Sequence, residues 1–389
     1  MVDFDTVIDR SNTNSVKWDS ISETYGKENL LPLWVADMDF MSPGPVVQAL
    51  TDFAKNGIYG YTVTPDSLFQ AVINWQKKHF GYELNKEEII FSPGVVSSIG
   101  IAIQAFTEPG DAVLIHDPVY PPFAEMITAN HRQLIRSKLI EEDGYFALDF
   151  ADMEAQIMEH DVKLMILCNP HNPGGRVWHQ DELQTLGELC QKHQVKVVSD
   201  EIHEDIVFRP HHHVSFQTVH PDFADFSIVL AAPTKTFNLA GLKNSMVFIK
   251  NPQLRKRYID IQHLTSHNPI NTFGMIGTEA AYQNGESWLE ELLTYLEENL
   301  SFACDFFAEK MPQLRVMKPQ GTYLLWLDFS NYSLTDRQLR NKLINEAQVV
   351  LNPGITFGPE GSSHMRLNFA CARTILAQGL EQIAAAFTD

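Results

Sequence analysis

Five short apolar runs in the middle of the chain constrain its fold more than any other feature. They are DAVLIHDP (Asp111 to Pro118), VKLMILCNP (Val162 to Pro170), VKVVSDEI (Val195 to Ile202), FSIVLAAP (Phe226 to Pro233) and NSMVFIK (Asn244 to Lys250). Each is rich in β-branched or other apolar residues in near-continuous order, and turn-forming residues bound it. A half-buried strand alternates apolar and polar residues, whereas a strand covered on both faces is apolar throughout. Segments with helical periodicity lie between several of these runs, as in DELQTLGELCQKHQ (Asp181 to Gln194). The pattern predicts an α/β fold with a mainly parallel central sheet between helices. In such sheets ligands bind beyond the carboxyl ends of the strands. The chemically unusual residues of this sequence collect at those ends.

From about Glu286 the character changes. A long polar helix pattern (SWLEELLTYLEENLSFACDFFAEK) leads into GTYLLWLDF, which alternates as an antiparallel strand does, and later into the strand-like HMRLNF. The acidic run EENL in that helix reads as a solvated face. The first 45 or so residues are rich in loop formers. A chain of 389 residues is long for one compact domain. The expected division is a large domain over 46–285 and a smaller α+β domain built from 1–45 and 286–389.

The formal net charge of −20, from 49 acidic and 29 basic residues, argues against nucleic acid or an anionic membrane surface as a partner. Four dispersed cysteines without a CxxC pair suggest free thiols in a reducing cytoplasm. The acidic N-terminus, MVDFDTVIDRSN, does not resemble a signal peptide. Cys168, at the end of an apolar run, reads as a buried thiol. The run His211 to His213 reads as a structural or solvated loop, with no carboxylate or cysteine at ligand spacing and hence no metal.

Four pieces carry chemistry. Lys235, in AAPTKTFNLAGL, directly follows an apolar strand and enters an apolar junction, where desolvation lowers an amine's pKa; a solvated lysine is the plainer alternative. Asp200 closes an apolar strand, where it either caps the next segment or pairs with a cationic group. Asn172 lies in CNPHNPGG (Cys168 to Gly175), a turn dictated by two Asn-Pro pairs and two glycines, and its amide is free either to shape that turn or to face a ligand. FSPGVVSSIG (Phe91 to Gly100) starts a helix after a strand and Pro-Gly; its N–H groups form either a plain connection or a phosphate site. Together the four match what pyridoxal 5'-phosphate requires: an amine, a carboxylate opposite the ring nitrogen, a donor to the phenolic oxygen and a phosphate cradle.

The sequence also resembles the fold-type I pyridoxal-phosphate enzymes and, among them, the MalY/PatB group of carbon–sulfur β-lyases. The resemblance runs nearly end to end. It is carried by DRSNTNSVKWD (Asp9 to Asp19), WVADMDF (Trp34 to Phe40), GYT (Gly60 to Thr62), DPVYPPF (Asp117 to Phe123), NPHNPGG, SDEIHED (Ser199 to Asp205), PTKTFNLAG (Pro233 to Gly241) and MRLNF (Met365 to Phe369). It implies the three-layer, aminotransferase-like version of the α/β fold.

Residue by residue, the resemblance implies that Lys235 attaches the cofactor as an imine, Asp200 pairs with its ring nitrogen and Asn172 donates to its phenolic oxygen. Tyr120 stacks on the ring, and amides around Gly94, Val95 and Val96 hold the phosphate together with Thr234, Lys243 and Tyr61 of a second subunit. Arg366 clamps the substrate carboxylate, and backbone near Ala36 closes the site. His203 stands where many aminotransferases have Tyr, Ala232 where they have Ser, and Lys243 where they often have Arg. The implied activity is cleavage of a cystathionine- or cysteine-type amino acid by a cytoplasmic homodimer with active sites at the subunit interface. Amino transfer between an L-amino acid and a 2-oxo acid is the alternative.

Overall fold

The computed structural model describes residues 2–266 and 270–387. The chain first contributes a two-residue strand, β1 (Leu31–Pro32). Eight strands follow: β2 (Ile89–Ser92), β3 (Ala112–Asp117), β4 (Gln133–Glu142), β5 (Tyr145–Leu148), β6 (Leu164–Cys168), β7 (Lys196–Asp200), β8 (Ser227–Ala231) and β9 (Ser245–Phe248). They form one sheet in the order β2-β9-β8-β7-β6-β3-β4-β5. The central pairs from β8 to β4 are parallel, and antiparallel strands complete both edges. The C-terminal part supplies β10 (Arg315–Met317), β11 (Leu324–Asp328), β12 (Val349–Val350), β13 (Asn352–Pro353) and β14 (His364–Asn368). Of these, β10, β11, β14 and β13 form an antiparallel sheet, while β12 pairs in parallel with β1.

The continuous apolar runs are explained by two cores, one on each face of the large sheet. Side chains alternate across a strand, so Val113, Ile115, Ile166 and Val198 pack on one face with the helices Val95–Phe106 and Pro252–Leu264. Leu114, Met165, Leu167 and Val197 pack on the other with the helices Phe150–His160 and Gln180–Lys192. A third core joins Leu31 and Leu33 to Leu376 and Leu380 of the last helix, and extends along the helix Glu286–Lys310. The EENL run departs from its expected solvated face. Glu298 is exposed, but Asn299 and Leu300 are buried, because their positions fall on the stripe shared with Leu292, Leu296 and Ala303. Asn299 Nδ2 donates there to the carbonyls of Phe369 and Cys371.

Candidate active site

The register of the large sheet brings the predicted residues to one edge. Cys168 at the end of β6 lies opposite Asp200 at the end of β7, and Asp200 opposite Leu230 of β8. Beyond these ends is a cavity of about 360 Å³ lined by Ala36, Gly94, Val95, Val96, Tyr120, Asn172, Asp200, His203, Thr234, Lys235 and Lys243. Of the anticipated residues, Arg366 lies outside this wall and Tyr61 is fully exposed on the loop before the helix Asp66–Phe80. Pro93, Ser97, Ile202, Ala240 and Asn244 also line the cavity and carried no signal in the sequence beyond proximity to a motif.

The charged groups here are buried without ion-pair partners among the described residues. Asp200 is 2% exposed and accepts one hydrogen bond, from the Ile202 N–H at 3.1 Å. Burial pushes its carboxyl up to about 7, helped by Glu201 and opposed by that hydrogen bond and by Lys235. Lys235 Nζ donates to the Ala36 carbonyl at 2.6 Å. Burial and nearby Arg366 pull its amine down to about 8, against Asp37 and Asp200. Arg366 is held by neutral groups alone: Nη1 donates to Asn172 Oδ1 at 2.9 Å, and Nη2 to Asn352 Oδ1 at 2.6 Å and the Trp34 carbonyl at 3.1 Å. Asn172, whose Oδ1 is so occupied, lines the cavity. Burial lowers the His203 imidazole well below its ordinary range, so it is neutral.

The helix Val95–Phe106 starts at Gly94 without a side-chain cap. Its first N–H groups are the orphan donors of a helix N-terminus, where the dipole favours an anion. Lys243, at φ 54° in the left-handed region, turns the chain from Ala240–Leu242 into β9 and places its side chain on the same cavity. Cys168 is buried, its thiol pushed well up by that burial, and it exchanges weak contacts with Asn172 N and the Pro170 carbonyl.

Sequence reasoning assigned no role to the residues that hold the Trp34–Phe40 segment over Lys235. Tyr323 Oη donates to the Ala36 carbonyl at 3.0 Å, and Asn368 Nδ2 to the carbonyls of Val35 and Asp37 at 2.6 Å each. Asn238 bridges Met38 and Phe40. Beneath the segment, Lys17 is completely buried, with Nζ 2.8 Å from Asp39 Oδ2, while Arg10 reaches Asp37 at 2.9 Å and Asp39 at 2.6 Å. Tyr323, Asn238 and Asn368 lie inside or beside motifs already noted, but only the docked structure shows what each holds.

The histidine run lies in a loop, and of the two readings left open for it His213 takes the structural one: it is buried, and its Nε2 lies 3.0 Å from Glu201 Oε2, with Glu204 alongside. Those carboxylates are nine and twelve residues away in sequence, beyond any local spacing rule.

A parallel sheet with an apposed lysine, carboxylate and uncapped helix at its C-terminal edge defines a phosphate-cofactor enzyme of the aminotransferase type. The family model of aminotransferase class I and II matches residues 28–383, and the chain belongs to that family. It is 43% identical to cystathionine beta-lyase PatB of Bacillus subtilis (strain 168), covering 100% of each chain. It is 33% identical to protein MalY of Escherichia coli (strain K12), over 98% of this chain and 97% of that one. The solved structure of the PLP-bound C-S lyase from Staphylococcus hominis superposes with a TM-score of 0.94 at 32% identity, covering 100% of this chain and 99% of that one.

Proposed function

We propose that this chain is a pyridoxal-phosphate-dependent carbon–sulfur β-lyase acting on L-cystathionine and related amino acids with sulfur at Cβ. With water, the substrate is cleaved to a thiol, pyruvate and ammonia. The observation that carries this reading is the full-length identity to a cystathionine beta-lyase. The site fits the cofactor group by group: Lys235 for its aldehyde, Asp200 for a cationic ring nitrogen, Asn172 Nδ2 for its phenolic oxygen and Tyr120 for the ring face. The uncapped amides at Val95 and Val96, with Gly94, Thr234 and Lys243, suit the phosphate. When bound, the cofactor supplies the electron sink for heterolysis of the Cα–H and Cβ–S bonds.

The chain's own residues do the rest. Lys235, with its amine lowered to about 8, is neutral often enough at physiological pH to take the Cα proton as general base. Arg366, now on neutral acceptors only, receives the substrate carboxylate in a bidentate contact. The Ala36 carbonyl holds Lys235 Nζ, and the segment around it, with Tyr120, closes the substrate's side of the cavity. To test the activity, the holoenzyme is incubated with L-cystathionine and no keto acid, and pyruvate and free thiol are followed. Sustained turnover is expected; a single stoichiometric conversion that resumes only with 2-oxoglutarate would establish amino transfer instead.

The domain division given by the sequence, 46–285 against 1–45 with 286–389, belongs to the same proposal and is supported by the β1–β12 pairing. So does a cytoplasmic homodimer in which Tyr61 of the partner subunit completes each phosphate site. Tyr61 is flanked by exposed Ile58, Tyr59 and Val63, an apolar patch of the kind that marks an interface. Mixing inactive Lys235→Ala and Tyr61→Ala proteins should restore about a quarter of wild-type sites, because a hybrid dimer holds one intact site; no recovery after subunit exchange would refute the shared site.

A further inference from the structure

Apart from the cofactor cavity, the chain buries a second set of ionisable groups that the lyase reading leaves without a role. Glu201, Glu204 and His213 each offer one ligand atom, and these atoms lie within 4.8 Å of one another. Glu201 and Glu204 are 0% and 1% exposed, and the His213 side chain 1%. Glu201 is anchored by Ser199 Oγ at 2.7 Å, the Phe216 N–H at 2.9 Å and His213 Nε2 at 3.0 Å. The rest of the set is underused. Gln76 Nε2 donates to Glu204 Oε1 at 2.7 Å, but Glu204 Oε2, Gln76 Oε1 and His213 Nδ1 are buried without hydrogen-bond partners among the described residues, and His79 Nε2 has only Glu286 Oε1 at 3.6 Å. Leaving a buried polar atom unsatisfied is costly, so three such atoms in one neighbourhood require a cause. A cavity of about 450 Å³ lined by His79, Glu204, Asp205, His213 and Glu286 connects this set to the surface.

We propose that Glu201, Glu204 and His213 form a binding site for a divalent transition metal, with zinc as the ion that suits the donors, entered through this second cavity. One imidazole nitrogen and two carboxylate oxygens make a three-ligand set that leaves a fourth tetrahedral position for water or His79. The imidazole discriminates against calcium and magnesium, which take oxygen ligands. The Gln76 amide orients Glu204 as outer partners of metal ligands do. The ion supplies the positive charge that three neighbouring carboxylates, Glu201, Glu204 and Asp205, lack. The site abuts the catalytic lysine through Asp205, which accepts from Thr236 Oγ1 at 2.7 Å, the residue after Lys235.

The test uses chelator-treated holoenzyme, titrated with Zn²⁺ in competition with a chromophoric chelator. One ion per chain is expected. Glu204→Gln, which retains an acceptor for Gln76, should weaken binding about tenfold or more and leave the thermal midpoint of the zinc-free protein unchanged. His211→Ala with His212→Ala should leave binding intact. Absence of stoichiometric Zn²⁺, or binding insensitive to Glu204→Gln and lost with the two surface histidines, would overturn the site. If Glu204→Gln does not fold, Co²⁺ added to the wild-type protein decides: the intense visible bands of a low-coordinate nitrogen–oxygen site are expected, and the weak spectrum of hydrated cobalt would refute it.

Discussion

The ion cluster under the N-terminal segment and the cavity beside Lys235 meet at Asp37 and Ala36, yet they treat buried charge in opposite ways. Below the segment, two cations face two carboxylates: Lys17 and Arg10 against Asp37 and Asp39, every contact between them 3.7 Å or less. Above it, Asp200, Lys235 and Arg366 are buried with no ion partner among the described residues. Buried charges that satisfy one another act as an internal fastening, and removing one strands the other. Buried charges left to neutral partners raise or lower their own pKa and await a charged ligand. The difference separates structural charge from chemical charge in one small volume.

Four measurements would break or sharpen that distinction. The largest effect is expected for Lys235→Ala, which should remove the covalent cofactor band from the visible spectrum and lower turnover about a thousandfold or more; persistence of the band would show that another amine holds the cofactor. Asp200→Asn should lower turnover roughly a hundredfold or more, as loss of one preorganised electrostatic partner does. It should not destabilise the cofactor-free protein, because a buried carboxylate near pH 7 is itself a cost there. A fall in its melting temperature would place Asp200 with the structural charges.

Lys17→Met should show the reverse pattern. Asp39 Oδ2 loses its lysine while Oδ1 keeps Arg10 at 2.6 Å, so the expected cost is roughly 1–3 kcal/mol of stability, that of one buried polar atom left unpaired, read by chemical denaturation, while turnover at saturating substrate and low temperature changes little. Loss of turnover without loss of stability would move Lys17 into the chemistry. The smallest effect is that of pH on cofactor uptake by the cofactor-free protein. Only the neutral Lys235 amine attacks an aldehyde, so the rate should rise about tenfold per pH unit below the amine's value of about 8 and level off above it. A rise that continues towards the ordinary lysine range would show that the amine is not desolvated as the structure places it.

Much of this was legible in the sequence because strand burial and strand-end chemistry are local. The unbroken rows Leu164–Cys168 and Lys196–Asp200 require cover on both faces, and a polar residue closing such a row must face the sheet edge. Asp200, Asn172, Lys235 and the Gly94 turn were therefore visible as strand-end anomalies before any resemblance was considered. Arg366 came only through the resemblance, since a single arginine in an alternating strand has no local mark. The role of Tyr323, and the pairing of His213 with Glu201, were not legible at all. Both depend on which segments dock.

The sequence by itself determined the parallel sheet and which polar residues stand at its carboxyl edge, because periodicity and turn chemistry act over a few residues. Only the tertiary structure decided which buried charges are matched. Lys235 meets Ala36 across 199 residues, and Arg366 meets Asn172 across 194. Whether a charge finds a counter-charge or a neutral carbonyl at such separations depends on how the chain ends dock against the large sheet, where burial multiplies the consequence of each pairing.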